Sequence, residues 1–305
     1  MLASVDASPS RAAGTPVFTL LAAAVALAAA AVLYAPVLVA LIVQWLDDGD
    51  ASYGLVVAIA AALVFSQRLP RVRALPLTGS PIASIFIALS AAVYMAGTLA
   101  ADLFLVRVSL PAFAASCIWF TAGSAQLRLL AAPLALCVIA IPLPDAVVTE
   151  ATLPLQLVAS QSAAALLHVV GVPVVRDGNV LALGTVSLEV AQACSGMRSL
   201  VTLLALVAVY GAWRPLPLRR VAALAVATVP VALAGNSLRI AVTALLATTS
   251  LGAEAARGVV HEATGWAAFV LMGALLAAIQ SALGVRSECA QRSAAGPLEL
   301  QGRST

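Results

Sequence analysis

Lysine is missing from this 305-residue chain: all 16 basic residues are arginine, and they outnumber the 13 acidic residues by only three. So small a net charge gives no support to nucleic-acid binding. Charged residues of either sign make up 10% of the chain against 63% apolar, which turns the few charges present into markers of topology. Histidine occurs twice, at His168 and His261, and cysteine four times, at Cys117, Cys137, Cys194 and Cys289. No disulfide framework follows from that inventory, and neither a cofactor nor a metal centre is expected. Around Ser195 there is no G-x-S-x-G elbow, and the two halves of the chain carry no convincing internal repeat.

What is present is a series of apolar stretches near the ~20 residues needed to cross ~30 Å of hydrocarbon. They fall near 17–43, 51–67, 81–101, 103–122, 125–143, 196–213, 219–245 and 263–284. The expected fold is therefore an all-α polytopic membrane protein with about eight transmembrane helices. The first apolar run, Val17 to Val43, is too long for the core of a signal peptide and has only Arg11 before it, so it reads as a retained span. The expected organisation is a cytoplasmic tail at 1–16, a single transmembrane domain at 17–284 and a disordered cytoplasmic tail at 285–305.

Arginines cluster at Arg68, Arg71 and Arg73, at Arg214, Arg219 and Arg220, and at Arg286, Arg292 and Arg303. With eight crossings all three clusters share one side, the cytoplasmic one by the positive-inside rule, and the acidic loop of Asp47, Asp48 and Asp50 lies opposite. The segment Ala151 to Val170 is apolar enough to cross but carries Pro154, Gln156, Ser160, Gln161, Ser162 and His168. Were it to cross, the second cluster would move outside, so an interfacial or re-entrant placement is expected.

Between that segment and Cys194 the chain becomes rich in strand formers. Asp177-Gly178 suits a tight turn, and Val186, Leu188 and Val190 alternate with Ser187 and Glu189. A small β-hairpin or meander over 172–192 is expected on the extracytoplasmic face, its last strand leading to Cys194.

Cys194 precedes a span descending toward Arg214. The following span climbs from about Arg220, so Arg239 lies nineteen residues on and roughly 28 Å higher at ~1.5 Å per residue. His261 precedes the last span. A thiol, a guanidinium and an imidazole thus arrive at one depth on three separate helices. An arginine in an apolar span costs at least ~2.5–3.5 kcal/mol at mid-membrane on insertion scales, so it calls for a polar cavity or a counter-charge. Asn236 sits one turn before Arg239. Cys117 and Cys137 lie inside spans and read as packing residues, and Cys289 falls in the tail, which leaves Cys194 as the one thiol expected at the outer face. Ser195 is the competing nucleophile, disfavoured because a thiolate needs less activation than an alkoxide. His168 reads as a satisfied polar residue. Arg198, one turn beyond Cys194, is expected to pair with Glu189 as support for the site, while Glu262 is placed on a different helix face from His261.

The ordered pieces ACSGMRSL, NSLRI and HEATGW, with DDGDASYGLVV, IPLPD, LPLQLVAS and GVPVVRDGNVLAL upstream, resemble the exosortase/archaeosortase family of integral-membrane cysteine transpeptidases over roughly Trp45 to Leu283. One departure is visible: many relatives carry a histidine near the start of the second span, where this chain reads Ser52-Tyr53-Gly54. The resemblance implies a bacterial inner-membrane enzyme facing the periplasm. Its implied substrates are exported, membrane-anchored proteins bearing a C-terminal sorting signal: a Pro-Glu-Pro-type motif, one transmembrane helix and a basic tail. Cys194 would be the nucleophile, His261 the general acid and base, and Arg239 the stabiliser of thiolate and oxyanion, with the acyl group passing to water or to an unknown acceptor. Two other classes stay open: a transporter with an intramembrane arginine site for anions, and a non-catalytic membrane assembly protein.

Overall fold

A computed structural model describes residues 16–184, 186–190, 196–249 and 258–294. Eight apolar helices match the eight expected spans. They are α1 (Pro16–Asp47), α2 (Tyr53–Arg73), α3 (Ala83–Leu99), α4 (Leu103–Thr121), α5 (Ser124–Ile139) and, beyond one further helix, α7 (Met197–Trp213), α8 (Leu218–Ala247) and α9 (Gly258–Ala294). Five of them, α1, α2, α4, α8 and α9, contain stretches long and apolar enough to cross a membrane, and α3, α5 and α7 are shorter apolar helices. Large aliphatic side chains such as Val56, Val226 and Val270 stand exposed on their outer faces, as a lipid-facing surface requires. Local chemistry sets the ends. Asp102 accepts hydrogen bonds from the amides of Phe104 and Leu105 to start α4, and Pro217 begins α8 with its fixed φ. The last helix runs on past 284 to Ala294, into the segment expected as tail.

The ninth helix is α6 (Asp145–Val169), longer at its start than the apolar pattern from Ala151 suggested. Its first turns share a pocket with Gln44, Asp48 and Arg198. Its second half, through Ala159, Ala163 and Leu167, packs on Ile240, Ala241 and Ala244 near the end of α8. Both halves therefore touch the end of the bundle where α1 finishes, α7 begins and α8 finishes. His168 accounts for its polarity locally, with Nε2 3.1 Å from the Val174 carbonyl oxygen.

A three-stranded antiparallel meander, β1 (Val175–Asp177), β2 (Val180–Leu183) and β3 (Val186–Glu189), lies on α6 and α8. Asp177 pairs with Val180, so the turn is Gly178-Asn179, one residue later than expected. Gly178 takes a φ of 59° there. Ser160 of α6 and Arg176 both donate to the Gly178 carbonyl, which fastens the hairpin tip. Beyond β3, Val190 donates its amide to the Asn179 carbonyl at 2.9 Å and accepts from the Asn179 side chain at 3.3 Å. The meander expected before Cys194 is thus present and its exit is fixed.

At the opposite end Arg68 donates to the carbonyl of Leu129 at 2.7 Å and to that of Ala212 at 3.1 Å. The guanidinium joins α2, α5 and the last turn of α7. It also places the first arginine cluster beside the start of the second, as the topology demanded.

Candidate active site

Helix α7 begins at Gly196, its N-cap, in the left-handed region at φ 86°. A β-carbon there would lie 3.0 Å from Asn236 Nδ2 and 3.2 Å from Asn236 Cβ, so the α7 entry rests directly on α8. Asn236 is buried. One turn later on α8, half-buried Arg239 extends toward α9, where an added β-carbon on Gly265 would sit 3.6 Å from its Cζ, Nε and Nη2. The absence of a side chain at 196 lets α7 close on Asn236, while Gly265 leaves room for the Arg239 guanidinium against α9.

Gly196, Arg239 and Gly265 line one cavity of about 520 Å³, together with Arg198, Glu262 and Trp266. It opens at the end of the bundle that carries the loop after α1, since Gly49 and Ser52 form part of its rim. A second, smaller pocket of about 170 Å³ lies alongside, lined by Gln44, Asp48, Asp50, Asp145 and Thr152. Arg198 borders both. Its Nε is ion-paired with Asp50 Oδ1, and both side chains are more than half exposed.

The expected site residues fare as follows. Cys194 and its rival Ser195 lie outside the described residues. Arg239 lines the cavity, and Asn236 supports its entry. His261 belongs to the first turn of α9, four residues before Gly265 in the chain. Arg198 is at the site, but its ion-pair partner is Asp50 rather than Glu189. Glu189 is exposed on β3, whereas the α1–α2 loop folds over the start of α7, bringing Gly49 and Asp50 to Arg198. Cys117 is half-buried in α4 and Cys137 exposed on α5.

Sequence reasoning undervalued two acidic residues. Asp50 marks topology by its place in the sequence, and three carboxylates in a row of four at the level of Arg198 are also a signal of pairing. Glu262 was set aside on helix-face grounds, yet it lines the cavity; a wide cavity collects neighbours from more than one face. Among the described residues no group of three His, Cys, Asp or Glu is arranged to hold a metal ion.

Comparison with family models decides the affiliation: the model described as transmembrane exosortase (EpsH) matches residues 45–278. The chain belongs to the transmembrane exosortase family. The matched stretch runs from the end of α1 through most of α9, so it includes every element that borders the cavity. Comparison with curated proteins and with solved structures gave no match. Membership implies a membrane cysteine transpeptidase that processes sorting signals. The exosortase cavity has the chemistry to suit: a guanidinium held at the junction of three helices, a carboxylate in the same lining, and the N-terminal end of α7, where a helix favours negative charge.

Proposed function

We propose that this exosortase cleaves C-terminal, Pro-Glu-Pro-type sorting signals of exported membrane-anchored proteins, through a thioester on Cys194 at the extracytoplasmic face of the bacterial inner membrane. The observation that carries the reading is the convergence of Gly196, Arg239 and Gly265 on one cavity. Cys194 is two residues before the first of these, and two residues of chain reach no further than about 7 Å. His261 is one turn before the last.

In this mechanism Cys194, just ahead of the α7 N-terminus in the chain and with Arg239 as the stabilising cation, is deprotonated more readily than a free thiol. His261 takes the thiol proton, and the sulfur attacks the scissile carbonyl carbon. Arg239 donates hydrogen bonds to the oxyanion, an effect of about 3–4 kcal/mol when one such donor is lost elsewhere. Collapse of the tetrahedral intermediate breaks the C–N bond, His261 returns its proton to the leaving amine, and the acyl group stays on sulfur. An amine or water then attacks the thioester and frees Cys194. Arg68, Arg214, Arg219 and Arg220 at the far end of the bundle support an outward-facing site, because such clusters remain cytoplasmic.

The test is co-expression of a tagged protein carrying this signal with the wild type and with Cys194→Ala, Arg239→Lys and His261→Asn, read by gel mobility and mass spectrometry. Processing by the wild type alone, and its loss in all three variants, is the expected outcome. Equal processing by Cys194→Ala would remove the thiol from the mechanism.

A further inference from the structure

Among the described residues, the charged side chains that line the cavity are Arg198, Arg239 and Glu262. Two guanidiniums against one carboxylate leave the space positive, so it favours an anion. Arg198 is on the first turn of α7 and Glu262 on α9, helices that each pack on α8. The mechanism above engages Arg239 and gives Arg198 no part.

The way Arg198 is held shows which of its donors are committed. Asp50 Oδ1 accepts from Nε. The other end of the guanidinium lies beside Gly49, where an added β-carbon would be 3.9 Å from Nη2 and 4.0 Å from Nη1, and Gly49 belongs to the cavity rim. Among the described residues Nη1 and Nη2 make no hydrogen bond. A guanidinium is a planar fork, so fixing Nε orients the plane and leaves the edge formed by Nη1 and Nη2 for a second acceptor. A carboxylate fits that edge, its two oxygens accepting two parallel hydrogen bonds. Asp50 weakens the attraction without cancelling it, because both side chains are more than half exposed and water screens the pair.

We infer that Arg198 is a specificity residue, whose Nη1 and Nη2 bind a carboxylate side chain of the peptide held in the cavity. This rests on the proteolytic reading above and adds to it the group that selects the substrate; in the sorting signal proposed there, the carboxylate is that of the glutamate. Asp50 is then a positioning residue, which acts by holding Nε.

The experiment measures Kd for a labelled single-helix protein bearing a Pro-Glu-Pro-type signal, and for its counterpart with glutamine in place of the glutamate. Each is bound to the full-length Cys194→Ala chain in lipid nanodiscs, and to the same chain with Arg198→Gln or Arg198→Lys. With Arg198 present the glutamate form is expected to bind about tenfold more tightly than the glutamine form. Arg198→Gln brings the ratio to about one, and Arg198→Lys, which keeps the charge but loses the fork, leaves a smaller preference. The ratio is taken within each chain, so a variant that merely loosens the fold weakens both forms alike and does not imitate the result. A ratio near one with Arg198 present, as an arginine spent on a lipid phosphate would give, overturns the assignment. So does a preference that survives Arg198→Gln, or the absence of binding by either form. Binding does not need cleavage, so the two readings part. Cys194-dependent processing by the wild type with a ratio near one overturns the role of Arg198 alone. An Arg198-dependent ratio without processing supports that role and removes the peptidase reading.

Discussion

Gly265 of α9 lies against the guanidinium of Arg239, at a separation where an added β-carbon would make ordinary van der Waals contact at 3.6 Å. The distance sets a graded expectation. Gly265→Ala keeps Arg239 in place and retains most processing. Gly265→Leu pushes the guanidinium out of the cavity and lowers processing by at least about a hundredfold, comparable to losing one oxyanion donor. Cleavage rates of the two variants at matched membrane levels check this; equal rates would mean that Arg239 is free to move without consequence.

At Gly196 there is less tolerance. A β-carbon there carries the strain of φ 86° and a 3.0 Å approach to Asn236 together, so Gly196→Ala costs about 1–2 kcal/mol in backbone strain alone. The same substitution displaces the start of α7 from α8. We expect a folded protein that no longer processes substrate, read by pairing a thermal melt in detergent with the cleavage assay. Asn236→Ala removes the Nδ2 and Cγ contacts and leaves that with Cβ at 3.2 Å, so partial recovery in the double variant is the diagnostic result.

The Arg198–Asp50 pair is exposed on both sides, and such pairs contribute about 0–1 kcal/mol to stability. Asp50→Asn therefore leaves the melting temperature nearly unchanged. Because Arg198 borders both the cavity and its smaller neighbour, the same change is expected to raise KM for the sorting signal while leaving kcat close to its original value. A fall in kcat with KM constant would instead assign Asp50 to the chemical step.

Trp45 gives the contrasting case, a residue that acts on stability. Its buried indole N–H donates to the Ala140 carbonyl at 3.0 Å, joining the end of α1 to the end of α5. Trp45→Phe keeps most of the packing and strands the carbonyl, at a cost of about 1–3 kcal/mol. The expected sign is a lower melting temperature with processing per folded molecule unchanged.

The eight spans were legible because hydrocarbon thickness fixes their length and composition, and the level of Arg239 with the starts of α7 and α9 followed from span direction and helical rise. The meander was legible from its alternation, although the turn slid from Asp177-Gly178 to Gly178-Asn179. The partner of Arg198 was not legible. Glu189 is nine residues away and Asp50 is 148, and only the folding of the α1–α2 loop over α7 decides between them. Nor could sequence alone show that Gly196 and Gly265 face Asn236 and Arg239 of α8, since a glycine carries no label for what approaches it.

Arg68 bears on how such a bundle responds to salt. By donating to the carbonyls of Leu129 and Ala212 it fastens the far end of α7 to two neighbours through main-chain acceptors that neither salt nor proton concentration alters over the ordinary range. The near end of α7 has among its contacts the seat of Gly196 on Asn236 and the solvent-exposed Arg198–Asp50 ion pair. Added salt therefore weakens the ion pair beside the cavity and leaves the Arg68 clasp as it is.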